Sequence, residues 1–135
     1  MDKKAERIIS LLKKAYPGAK FYLNFSNPLE LLVAAILSAQ VRDEVVNSTT
    51  PNIFSKYKTA KDYAQANLKE LIAAILPISF PANKAKHIKE ACEILVEKHQ
   101  GEVPDTLESL AELPGIGRKT ANAILINAFG KVQGI

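Results

Sequence analysis

The sequence predicts an all-α protein, on three observations. Apolar residues recur at spacings of three and four through most of the chain, no stretch alternates β-branched or aromatic residues with period two, and helix-starting and helix-stopping residues bracket the apolar runs. Ile8, Leu11, Leu12 and Ala15 make the stripe of a first helix that stops before Pro17 and Gly18. Asn27 caps a second, Pro28 suits its first turn and Glu30 stands where a capping box wants a carboxylate. That helix runs to about Ala39 and is apolar nearly all round, so it belongs in the core. A third runs from about Asp43, read as its cap, toward Tyr57, with Pro51 as a kink and not a boundary. Thr59 caps a short helix over Ala60 to Gln65, and Asn67 with Glu70 starts another that ends near Pro77. From about Asn83 to His99, Ala85, Ile88, Cys92 and Leu95 hold one apolar face, and Gly101 ends the helix. Asp105 with Glu108 caps a short helix through Glu112, and a last helix runs from about Gly117 to Gly130.

At 135 residues and 47% apolar content, the chain has one domain's length and enough hydrocarbon for a core, which excludes disorder. Its most apolar stretch, Leu31 to Ala39, is roughly half of what a membrane span requires, and the N-terminus opens with Asp2, Lys3 and Lys4. A soluble, cytoplasmic protein with no membrane partner is therefore expected. The single cysteine, Cys92, excludes an internal disulfide framework and any all-cysteine metal site built by this chain alone. On an apolar helix face it reads as a small buried hydrophobe, and His87 and His99, with no ligand pattern around them, read as surface histidines.

Eighteen Lys plus Arg against fourteen acids give +4, a mild basic bias. The distribution says more, because residues 1–20 carry six bases against two acids and residues 113–135 carry Arg118, Lys119 and Lys131 with no acid. Between them, Glu102, Asp105, Glu108 and Glu112 make a purely acidic segment. Such a surface can present a phosphate-facing side, but charge distribution alone favours the simpler reading of dispersed solvated charge.

The chemistry concentrates at Leu113-Pro114-Gly115-Ile116-Gly117, a turn between two helices whose glycines let the backbone bend tightly and approach another surface. Arg118, Lys119 and Thr120 are the first turn of the following helix. Its unpaired N–H groups, the positive end of its dipole and Arg118 together make an anion site fitted to a backbone phosphate. Read from residue types alone, an ordinary turn between packed helices is an equal alternative.

Residues 113–125, LPGIGRKTANAIL, closely resemble the helix-hairpin-helix of the endonuclease III family of DNA glycosylases. The stretch from Asn24 to Asn47, Asn83-Lys84-Ala85 and Gly101-Glu102-Val103-Pro104 resemble the same family in the same order, so the resemblance covers nearly the whole chain. It implies a helical bundle or barrel of the helix-hairpin-helix glycosylase type, in two parts. Residues 1–20 would be the N-terminal helix of a second, incomplete domain, and residues 21–135 a helical domain ending in the hairpin at about 106–130.

The function implied is base-excision repair of double-stranded DNA, by a bifunctional glycosylase and abasic-site lyase acting on oxidised pyrimidines. In that branch the lysine matching Lys119 attacks C1′ of the damaged nucleotide and forms a Schiff base; other branches carry Ser, Trp or Tyr there. The buried helix also lacks the adenine branch's glutamate, since Val33, Ala34, Ala35 and Ile36 are all apolar. Gly115, Ile116 and Gly117 would bind phosphate through backbone N–H groups with Arg118 and Thr120 beside them. Gln40 matches the glutamine that fills the space vacated by a flipped nucleotide. Phe80 falls where the family places an apolar wedge, though Ser79-Phe80-Pro81-Ala82 departs from the usual loop and a Phe beside Ile78 also suits a core. Asp43 matches a residue near the family's pocket.

The chain ends at Gln133-Gly134-Ile135, where the family continues into Val-Asp-Thr-His, whose aspartate activates the lysine. The resemblance thus implies the first two-thirds of an endonuclease III, lacking that aspartate and the four cysteines of a [4Fe-4S] cluster, so no cofactor is expected in this chain. The first helix would then expose its stripe and favour self-association. Two rival readings remain: a helix-hairpin-helix module that binds DNA without catalysis, and a helical protein-interaction domain.

Overall fold

The computed structural model describes residues 23–130, and these residues form seven helices and no strand. They are α1 (Pro28–Leu37), α2 (Asp43–Lys56), α3 (Ala60–Ala64), α4 (Leu68–Ala74), α5 (Pro81–Lys98), α6 (Leu107–Ala111) and α7 (Arg118–Phe129). The expected first helix and the self-association assigned to it lie outside the described residues.

Local capping chemistry places most of the boundaries. The side chains of Asn27, Thr59 and Asn67 each accept the N–H three residues on, satisfying a donor that the first helical turn leaves open. At α3 the box is reciprocal, with the Asp62 carboxylate accepting the Thr59 N–H at 3.1 Å. At α1 the expected box closes one residue earlier: Glu30 accepts the N–H and the hydroxyl of Ser26 at 2.8 and 2.7 Å, not the Asn27 N–H. Two caps move by a residue. Arg42 precedes α2, so Asp43 is its first helical residue and not its cap. Thr106, accepting the Ser109 N–H at 3.3 Å, caps α6 in place of Asp105. Helix α2 continues through Pro51, as the sequence reading has it.

Helix α5 starts at Pro81, two residues before the expected Asn83, because Phe80 adopts the left-handed conformation and turns the chain straight into it. Gln100 and Gly101, both left-handed, end it, and Gly130 with φ +67° ends α7.

The core follows from α1, whose residues Leu31 to Leu37 are all buried. A helix apolar on every side needs neighbours all round, and α1 packs against α7, α5 and α2. Helix α5 packs on its other side against α3 and α4. Each fully buried Leu or Ile contributes about 1.5–3 kcal/mol through water removed from its surface. Tyr63 closes the α3–α5 contact, 1% exposed and stacked on Tyr57 with ring centroids 4.9 Å apart. No helix among the described residues is long and apolar enough to cross a membrane.

Candidate nucleic-acid interface

Helices α6 and α7 pack together, and Leu113 to Gly117 join them. Leu113 and Ile116 point into the core, 2% and 4% exposed, which anchors the turn at both ends. The Ile116 N–H donates to the Leu113 carbonyl at 3.1 Å. Ile116 thereby holds the turn closed, its N–H engaged within the hairpin. The donors left to offer are Gly115, Gly117 and the first turn of α7.

Gly115 carries φ +82°, and a β-carbon there would meet the His87 side chain at 3.2 Å. The backbone conformation favours glycine, and the close approach means that His87 would have to give by a few tenths of an ångström to admit a side chain. His87 is half-buried against the hairpin and is not the free surface histidine expected from its spacing.

Helix α7 begins without help. Gly117 provides no side-chain cap, the first turn holds no acid, and Arg118 and Lys119 are both exposed there, with Thr120 half-buried. The start of α5 is built the same way, with Phe80 as an uncapping left-handed residue and no acid in the first turn. The other five helices of the described residues each carry an acid in the first turn, which offsets the positive end of the dipole. Only α5 and α7 leave that end to an outside anion.

The start of α5 and the hairpin turn that leads into α7 meet at one cavity of about 200 Å³. Ile36, Ala39 and Gln40 line it from the C-terminal end of α1. Phe80, Asn83, Lys84 and His87 line it from α5, and Gly115 from the hairpin. Three expected site residues, Gln40, Phe80 and Gly115, are therefore brought together; Gly117, Arg118, Lys119 and Thr120 lie just along the chain, outside the cavity lining. Gln40 (φ +60°) and Phe80 (φ +53°) are two of the three non-glycine residues with positive φ among the described residues, a conformation that costs about 1 kcal/mol or more and clusters at functional sites. Phe80 is 61% exposed while Ile78 beside it is 1% exposed, so Ile78 is the core residue of this loop.

Sequence reading gave no site role to the other five lining residues, of which Lys84 and His87 make specific contacts. Lys84 is 5% exposed and its Nζ donates to the Ala39 carbonyl. Burial holds its pKa below the usual lysine value. A signal for it existed, because Lys84 falls in register with Ile88, Cys92 and Leu95 on the apolar face of α5.

A four-cysteine cluster does not fit the residues present. Cys92 is the one cysteine of the chain and lies buried in the core, where desolvation, with a smaller contribution from Glu93, pushes its thiol up to about 12. No group of three or more His, Cys, Asp or Glu residues among those described is placed to hold a metal.

An all-helical core carrying a helix-hairpin-helix beside a cavity of left-handed polar and aromatic residues defines the class as a helix-hairpin-helix fold. Within it the chain belongs to the HhH-GPD superfamily of base excision DNA repair proteins, which matches residues 33–130. It is 46% identical over 132 residues to endonuclease III of Synechocystis sp., covering 98% of this chain and 60% of that relative. Against endonuclease III of Bacillus subtilis it is 42% identical over 128 residues, covering 95% and 58%. A solved trapped endonuclease III–DNA covalent intermediate superposes with a TM-score of 0.80 at 42% identity, covering 96% of this chain and 62% of that one. The chain thus spans about three-fifths of the length of the curated relatives it matches.

Proposed function

We propose that this chain acts in base-excision repair of double-stranded DNA as a glycosylase and abasic-site lyase of the endonuclease III type, with oxidised pyrimidines and abasic sites as substrates. The observation that carries the proposal is the convergence of Gln40, Phe80 and Gly115 on one cavity, next to an uncapped helix start bearing Arg118 and Lys119. A flipped nucleotide leaves a gap that needs filling, and an exposed ring and a projecting amide at one rim suit that task. The N–H groups of Gly115, Gly117 and the α7 first turn, with Arg118, hold backbone phosphate and give affinity independent of sequence.

Lys119 is the nucleophile in this reading. Its neutral amine attacks C1′, the N–C1′ bond forms as the glycosidic bond breaks, and the base leaves with the electron pair and takes up a proton. Ring opening gives the Schiff base. Loss of a C2′ proton then expels the 3′ phosphate by β-elimination, and water hydrolyses the imine to regenerate the amine.

The hairpin and the helix after it, residues 113–130, contain no Asp or Glu side chain, which favours a second reading: DNA binding without efficient base removal by these residues alone. Borohydride trapping on a duplex with one abasic site tests both. The first reading expects a covalent adduct with the wild-type chain and none with Lys119→Ala; an adduct that survives Lys119→Ala overturns the assignment. The second expects salt-dependent duplex binding that persists in Lys119→Gln, with no adduct from either protein.

A further inference from the structure

We infer that Lys84 is a positioning residue that sets the left-handed conformation of Gln40 and so presents its side chain to the cavity. The role of Gln40 on DNA rests on the function proposed above; the clamp itself does not.

Lys84 occupies a core position of α5, and lysine is almost never fully buried without a partner. No carboxylate among the described residues pairs with it; its ammonium donates to the Ala39 carbonyl. Helix α1 has no basic residue in its last turn, so a cation from α5 complements that C-terminus. Lys89, five residues further along α5, makes the equivalent contact to the Ala64 carbonyl at the end of α3, where no left-handed residue follows.

The Ala39 carbonyl and the Gln40 N–H belong to one planar peptide unit. Holding that carbonyl fixes the plane from which Gln40 departs with φ +60°. On the far side, the Val41 N–H donates to the Ser38 carbonyl at 3.1 Å and closes the turn. Gln40 is thereby gripped from both sides in a conformation that its side chain disfavours, and its side chain and that of Lys84 line the same cavity. A methionine would fill the same space without burying a charge, so packing alone does not account for a lysine here.

NMR of the free protein tests the clamp with Lys84→Met, which keeps the length and removes the donor. A strong intraresidue amide-to-Hα NOE marks the positive φ of Gln40 in the wild-type chain and is expected to weaken in the variant while the core signals persist; its survival overturns the inference. Should Lys84→Met fail to fold, the wild-type protein decides: NOEs from the Lys84 ε protons to Ala39 and the Gln40 amide are expected, and their absence overturns it. On DNA, binding to an abasic-analogue duplex relative to an intact one is compared for wild type, Lys84→Met, Gln40→Ala and the double variant. Each single variant is expected to lose about tenfold in that ratio, the equivalent of one lost oriented contact, and the double variant no more than either. Additive losses overturn the coupling. A wild-type chain that does not discriminate the two duplexes overturns the proposed function and the DNA half of this inference, while the NOE still decides the clamp.

Discussion

The His87 imidazole lies against Gly115, so close that a β-carbon on the glycine would meet Nδ1 at 3.2 Å. Helix α5 therefore sets where the hairpin turn sits relative to the cavity. Gly115→Ala meets two separate obstacles, a φ of +82° and the imidazole. The first costs about 1–2 kcal/mol whatever the neighbour does. The second disappears if His87 is shortened. Urea denaturation is expected to show Gly115→Ala destabilised by about 2 kcal/mol, and a cycle with His87→Ala to return about 0.5–1 kcal/mol of favourable coupling. Zero coupling would mean that the two groups are not in contact.

Phe80 is the most exposed large apolar side chain of the described residues at 61%, so it contributes little to folding. Phe80→Ala should change stability by less than about 0.5 kcal/mol. If the ring stacks in a gapped duplex, the same change costs about 1–3 kcal/mol of binding. Fluorescence anisotropy on an abasic-analogue duplex, run beside thermal melts, separates the two effects. Unchanged affinity would remove the ring from the interface. Gln40→Gly extends the argument: relief of φ +60° offsets the added chain entropy, so the fold is expected to hold while gap binding falls.

Much of the fold was legible because its boundaries rest on bonds spanning three or four residues. Asn27, Thr59, Asn67 and Gly130 act where their types and positions say they should. Thr106 and Asp105 are adjacent good caps, and backbone geometry, which residue type does not report, decided between them. The hairpin could be read for the same local reason. Lys84 and His87 could not, since their partners Ala39 and Gly115 come from other helices' ends and only the tertiary fold brings them close. Helical register did place Lys84 on the core face, but a lysine there ordinarily extends its ammonium to water and attracts no attention.

Arg118 is exposed on a helix start that has neither cap nor acid, so its charge is available to a phosphate. Each neutralised phosphate contributes about −0.9 to the slope of log Kobs against log salt. Arg118→Ala is therefore expected to reduce the magnitude of that slope for undamaged duplex by about 1. Lys98→Ala, at the opposite end of α5, serves as the control and should leave it unchanged. Identical slopes for wild type and Arg118→Ala would place the DNA elsewhere.

Burial pushes the Cys92 thiol up to about 12 from an ordinary value near 9, and the sign of its pH effect follows. Below pH 9 the thiol is protonated in both the folded and unfolded chains and contributes no pH dependence. Above it the unfolded chain releases the proton while the folded chain keeps it, so the unfolded state binds fewer protons and stability falls as pH rises. The slope is about 1.4 kcal/mol per pH unit until the folded thiol itself ionises. Other groups titrate in this range, so the observable is the difference between wild type and Cys92→Ala. That difference is expected to be flat from pH 7 to about 8.5, reflecting only the lost packing, and then to shrink steadily to pH 10.5 in urea melts. A difference independent of pH throughout would show that the thiol ionises as readily in the core as in water.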